Sequence, residues 1–176
     1  MDLSLYSIPA SVAVAALRRN KVDHVVTVPD WVQLSLHDQL NKGVDDIKVV
    51  NACNENQVVT VAAGLTIGGK RPLVMMQNQG LYNCFNTLRA VCLDAHIPMV
   101  FMVGQFGREF ANLGKPSTES ERTMVRIAEP FLTSIGVPFH VLDSTADMAK
   151  LDIAFAQAQE QRTAVVLLVS APMAWQ

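Results

Sequence analysis

Six short apolar runs with little polar alternation recur along the chain: HVVTV (24–28), IKVVN (47–51), PLVMMQ (72–77), PMVFMV (98–103), PFHVL (138–142) and AVVLLVS (164–170). A strand that is apolar at successive residues must be covered on both faces, as a parallel strand between two helical layers is. The intervening segments supply those layers and read as helices at 9–20, 31–42, 54–68, 81–95, 117–135 and 145–161. Strand and helix alternate from end to end, which predicts an α/β fold. The expected architecture is one domain over 1–176: a doubly wound, mainly parallel six-stranded sheet with helices on both faces. Pro9 suits a first helical turn, and Asp30 with Gln33 and Thr118 with Glu121 have capping-box spacing. Asp143-Ser144 precede the last helix, while Gly43, Gly68-Gly69 and Gly136 suit helix ends.

Composition narrows the function. Half of the residues are hydrophobic and 17% are charged, which provides for a buried core and for apolar surface reserved for a partner. Fourteen basic and sixteen acidic side chains give a net charge of −2, and no basic run exceeds Arg18-Arg19, so neither nucleic acid nor an anionic membrane is indicated. Cys53, Cys84 and Cys92 lack CxxC spacing and read as reduced thiols. The run SVAVAAL is followed rather than preceded by basic residues, the reverse of a signal peptide, and the expected location is the cytoplasm. His24, His37, His96 and His140 have no ligand spacing, so no metal site is expected in this chain. Neither GxGxxG, a P-loop nor a GxSxG elbow is present.

Ligands of open parallel sheets bind beyond the carboxyl ends of the strands. The residues there are Pro29-Asp30, Ala52 to Asn56, Gln77 to Asn83 and Gly104 to Arg108. Glu55 opens a helix whose body (Val58, Val59, Val61, Ala62, Ala63, Leu65, Ile67) leaves no wide polar face, so that helix is expected to be buried on several sides. Read alone, Glu55 is an ordinary first-turn acid. QNQGLYN (77–83) likewise reads as a βα turn, with Gly80 at a special backbone angle and Asn78 as a cap, although its amides can also read a heteroaromatic ring. Asp30 in VPDW reads most simply as an N-cap. GQFGREFANLGKPS (104–117) reads equally as a mobile, ligand-covering loop or as an ordinary surface loop.

Taken together, VPDW, NACNENQVVTVAAGLTIGGKRPLVMMQNQGLYNCFNTL and IPMVFMVG resemble the pyrimidine-binding domain of thiamine-diphosphate enzymes, and within them the sulfopyruvate and phosphonopyruvate decarboxylases. The resemblance spans roughly residues 22–105. It implies that Glu55 is the glutamate that hydrogen-bonds N1′ of the cofactor's aminopyrimidine and so favours the imino tautomer. It implies further that Asn78, Gly80 and Asn83 lie near the cofactor, and that Pro29 and Asp30 face the substrate. After the fourth apolar run, GQFGREFANLGKPS stands where the family carries an Arg-Gly-rich, acidic and His-containing stretch; Arg108 and Lys115 are the candidates there for an anionic substrate group. The family's diphosphate-binding domain, with its GDG motif, is not in this sequence. The resemblance therefore implies an alpha-type subunit of a split 2-oxo acid decarboxylase, with a separate beta-type subunit bringing Mg2+ and the diphosphate site. A carboligase using the same cofactor and a non-catalytic α/β scaffold of the same fold are the alternatives.

Overall fold

The computed structural model describes residues 3–175. All six apolar runs form strands: β1 (His24–Thr27), β2 (Lys48–Asn51), β3 (Pro72–Gln77), β4 (Met99–Gly104), β5 (Phe139–Leu142) and β6 (Ala164–Val169). They make one sheet of order β2-β1-β3-β4-β6-β5, parallel at every pairing. Burial follows the order. β4 and β6 are buried at every residue and β3 at all but its last, whereas β2 at the edge is half-exposed.

Alternate residues of each strand feed two separate cores. On one face α1 (Ala10–Arg19), α2 (Leu34–Asn41) and α8 (Lys150–Gln161) cover Val25, Met75, Met102 and Leu167. On the other, α3 (Glu55–Ile67), α4 (Asn78–Asn83), α5 (Phe85–Leu88) and α7 (Ala128–Ser134) cover Val26, Met76, Phe101 and Leu168. The strict odd-even division explains why the central strands carry no polar alternation.

Two expected helices are broken. The segment 81–95 starts earlier, at Asn78, stops at Asn83, resumes as α5 and ends in a π-helical turn, Arg89–Asp94. The segment 117–135 divides into a 3-10 turn (Ser117–Glu119), α6 (Thr123–Arg126) and α7. Pro130 contributes to that break, because it has no N–H to give to the Arg126 carbonyl and its ring crowds that carbonyl. The Thr118–Glu121 capping box does not form; Glu109 instead accepts from Ser120 Oγ at 2.7 Å and Arg122 N at 3.0 Å. A true capping box joins Ser144 and Asp147 ahead of α8.

The chain reverses its direction across the sheet between β1 and β3 and again between β4 and β6. Each reversal leaves a crevice at the carboxyl edge. The residue after β1 that was expected to cap a helix instead ties that edge together. α2 begins at Leu34 with Gln33 in the cap position, so Asp30 lies too early to be its N-cap. Asp30 is 1% exposed, and its carboxylate accepts from Val32 N at 2.8 Å, Gln33 Nε2 at 2.6 Å and Gly104 N at 3.0 Å, joining the end of β1 to the end of β4. Gly104 is required at this approach, since a Cβ there would stand 2.1 Å from Asp30 Oδ2. His37 closes the turn by accepting the Asp30 N–H on Nε2 at 3.0 Å, which keeps the imidazole neutral.

Burial raises the Asp30 pKa to about 6, outweighing its three donors, and lowers that of His37 to about 4. The linkage signs are opposite. Between pH 4 and 6 folding takes up a proton at Asp30 and releases one at His37, so acidification stabilises through Asp30 and destabilises through His37. Relative to wild type, Asp30→Asn is therefore expected to become more acid-sensitive and His37→Gln less so, with stability slopes of opposite sign and about 1.4 kcal/mol per pH unit. Denaturant unfolding from pH 6.5 to 4 measures both slopes; changes of the same sign in the two variants would contradict the assignment.

Candidate active site

The crevice between β1 and β3 collects the sequence candidates. Thr27 is in register with Asn51 and Met75, which brings Pro29 level with Cys53 and Gln77 at the carboxyl edge. Pro29 is exposed there. β2 then hands over to α3 through a double cap: Asn54 Oδ1 accepts from Gln57 N at 3.1 Å, and Gln57 Oε1 accepts from Cys53 N at 3.0 Å. These two bonds fix the first turn, and Glu55 is its first residue.

Glu55 is half-buried and reaches across to α4. Its Oε2 accepts from Asn83 Nδ2 at 3.3 Å. Its side chain lies over the backbone of Gly80, where a Cβ would stand 2.3 Å from Glu55 Cγ and 2.7 Å from Oε1. Gly80 is therefore a helical residue that makes room for a carboxylate; it is not the special-angle turn residue expected from QNQGLYN. Burial, and after it the Glu55 charge, push the Cys84 thiol up to about 12. That thiol is inert.

The remaining candidates stand apart from the carboxylate. Asn78 is 0% exposed; its Nδ2 donates to the carbonyls of Phe106 and Met124, both at 3.2 Å, and its Oδ1 accepts from Gln79 N. It does not cap α4 in the ordinary way. With Tyr82 Oη, which donates to the Met124 carbonyl at 2.6 Å, it pins the loops beyond β4.

Arg108 fills the second crevice. Its side chain is 3% exposed, and it donates to Gln105 Oε1 and Ser170 Oγ at 2.7 Å, the Lys115 carbonyl at 2.8 Å and Asn112 Oδ1 at 3.0 Å. The segment 104–117 is thus strapped to the ends of β4 and β6, which is not the picture of a mobile cover. Lys115 is exposed and engages this cluster through its backbone. Gly80, Asn83 and Glu55 come together; Asp30, Asn78 and Arg108 are internal ties at the same edge. Sequence pairs Gln33 with Asp30 only as a cap and gives Tyr82 no role, because Gln33 Nε2 bonds the Met102 carbonyl 69 residues away and Tyr82 Oη the Met124 carbonyl 42 residues away.

α3 is also less buried than its composition implies. It sinks Val58, Val59, Ala62 and Ala63 into the core but exposes Thr60, Val61, Gly64 and Ile67, with Ile67 at 74%. The sheet covers one side of the helix only. Among the described residues no group of three or more His, Cys, Asp or Glu is placed to hold a metal, and no helix is long and apolar enough to cross a membrane.

A family model described as thiamine pyrophosphate enzyme, N-terminal TPP binding domain, matches residues 10–125, more than half of the chain. The chain belongs to this family. The TPP-binding domain is 29% identical over 159 residues to a sulfopyruvate decarboxylase subunit alpha of Methanothermobacter thermautotrophicus, covering 89% of this chain and 93% of that subunit. A sulfopyruvate decarboxylase of Methanosarcina acetivorans is 21% identical over 168 residues, covering 96% of this chain but 41% of that protein. In fold, the domain matches the thiamine diphosphate-dependent 4-hydroxybenzoylformate decarboxylase of Rhodococcus jostii RHA1 with a TM-score of 0.70 at 20% identity, covering 95% of this chain and 31% of that one.

The donor set fits a thiamine-type cofactor. Among the described residues Glu55 Oε1 has no hydrogen-bond donor, while Oε2 is held by a neutral amide, so one carboxylate oxygen remains for a ring N–H. Gly80→Ala tests the cradle. A helical φ accepts alanine, so the domain is expected to keep its unfolding free energy within about 1 kcal/mol, while the displaced carboxylate weakens cofactor binding to the assembled enzyme about tenfold or more. Calorimetric titration with the cofactor, beside a denaturant melt, measures both; unchanged affinity would show that Glu55 does not need the space.

Proposed function

We propose that the chain is the alpha-type subunit of a heteromeric thiamine-diphosphate-dependent 2-oxo acid decarboxylase, with Glu55 holding the proton at the cofactor's aminopyrimidine. The observation that carries this reading is the Glu55 carboxylate laid across Gly80 at the first switch point of the sheet. When bound, thiamine diphosphate supplies the electron sink that decarboxylation of a 2-oxo acid requires.

The chain's own residues prepare a proton site. The first-turn N–H groups of α3 and the Asn83 amide stabilise the carboxylate, and the double cap prevents it from drifting. A carboxyl held in this way, and dried by a partner on docking, can share a proton with a ring nitrogen. Gly80 and Asn83 are the cofactor-side residues in this reading, Pro29 is on the substrate side, and Asn78, Asp30 and Arg108 position loops. With its donors already engaged, Arg108 is a poor receptor for the far end of the substrate.

A separate beta-type subunit completes the reading. The exposed apolar stripe on α3 suits such a partner, and a 580 Å³ cavity at the opposite edge of the sheet is not lined by Glu55. That partner would bring Mg2+ and the diphosphate site. Three free cysteines, two of them buried, support a reducing compartment, and we place the enzyme in the cytoplasm. Glu55→Gln, assayed with the partner subunit and cofactor, is expected to lower turnover about 10²–10⁴-fold while the two chains still co-purify. Undiminished turnover in that assembly would refute the reading.

A further inference from the structure

The 580 Å³ cavity lies at the amino edge of the sheet, where Lys70-Arg71 lead into β3, His96 to Pro98 lead into β4, and α8 ends at Arg162. Its lining includes Lys70, Arg71, His96 and Arg162 and no Asp or Glu. Among the described residues none of these four side chains forms an ion pair or a hydrogen bond within the chain. On a protein of net charge −2, which pairs Arg18, Arg19 and Arg89 with nearby aspartates, Lys70, Arg71 and Arg162 thus form a local excess of basic side chains beside His96, with Asp23 as a more distant electrostatic partner of Lys70.

Arg71 makes the cluster a prepared site. Its backbone is clamped on both sides by Asp23, through its N–H to Oδ1 at 2.9 Å and its carbonyl from Asp23 N at 3.2 Å. Its guanidinium lies over the Phe155 ring, 4.6 Å from the centroid, and its Nε is buried without a partner. Stacking fixes the plane of the guanidinium, and a buried N–H without an acceptor is costly unless something fills the place. Asp23 does not line the cavity, and its carboxylate is already held by His24 Nδ1 at 2.8 Å as well as by Arg71 N. His96 and Arg162 are also two of the three non-glycine residues with positive φ among the described residues, at 56° and 49°, and both strained positions are at this cavity.

We propose that the cavity binds a small organic phosphate. A planar guanidinium with free donors, flanked by an ammonium and a second guanidinium, matches a dianionic head better than a single carboxylate. The volume exceeds what a bare phosphate needs, and Ile97 and Pro98 offer apolar surface for an organic body. β3 runs from Pro72 at this cavity to Gln77 at the candidate active site, about 16 Å at the usual rise per residue, so this site is separate from the cofactor's.

The test uses the full chain with phenyl phosphate, inorganic phosphate and phenylacetate as probes, followed by amide chemical shifts and calorimetry. Phenyl phosphate is expected to bind more tightly than either of the others, to shift residues 66–72, 96–99 and 158–162 and to leave 54–57 and 78–83 unmoved. Arg71→Gln and Arg162→Gly are each expected to weaken it about tenfold or more. Arg162→Gly places glycine at a φ that favours it, so loss of binding there is not loss of fold. No saturable shift around the cavity, undiminished binding in either variant, or shifts centred on Glu55 would overturn the proposal. Equal affinity for inorganic phosphate would overturn the organic body.

Discussion

Glu55 and Gly80 meet across the first switch point at a distance that only a residue without a side chain allows. The geometry of the candidate site follows from that contact. The capped first turn of α3 sets where the carboxylate starts, the bare Cα of Gly80 sets where it can lie, and Asn83 sets which oxygen is engaged. A methyl group on α4 would leave both helices folded and move the carboxylate. Function and stability are therefore separable at this point in a way they are not in the core beneath it, where Met76 and Phe101 are 0% exposed.

The rest of the carboxyl edge is held by buried polar ties. Asp30 joins the end of β1 to the end of β4, Asn78 joins the start of α4 to the loop at Phe106 and to Met124 in α6, and Arg108 joins the ends of β4 and β6. Such groups are costly in a dry interior unless each donor and acceptor is matched, and here most are. Gln105 Nε2 and Asp143 Oδ1 have no hydrogen-bond partner among the described residues, although Asp143 Oδ1 stands 3.8 Å from Arg108 Nη1 in an ion pair. The outcome is that one of the two crevices of the sheet is filled by a guanidinium, while at the other Glu55 lies half-buried over Gly80.

Much of this was legible in the amino-acid sequence, and the parts that were not have a common cause. The six strands and α3 follow from local pattern, since unbroken apolar runs signal themselves within a few residues. The functions of Asp30 and Gly80 do not. Asp30 reads as a cap because its decisive partner, Gly104 N, lies 74 residues away, and Gly80 reads as a turn residue because nothing local reveals the side chain crossing it. The breaks at Cys84 and before Pro130 were missed because helical periodicity runs through them. Arg108 resembles a ligand-binding arginine in sequence and is spent on its own loop in the fold.

The domain presents a half-buried carboxylate, an amide beside it, and Val61 and Ile67 exposed on the same helix. In the proposed function, the free oxygen of Glu55 meets a ring nitrogen once a second subunit closes over it. A crystal structure of the assembled enzyme with its cofactor measures that directly. Glu55 Oε1 is expected at a hydrogen-bond distance of about 2.7–3.2 Å from the pyrimidine N1′, with Gly80 packed beneath the carboxylate; a Glu55 carboxylate directed to bulk water, touching no heterocycle, would contradict the proposed function.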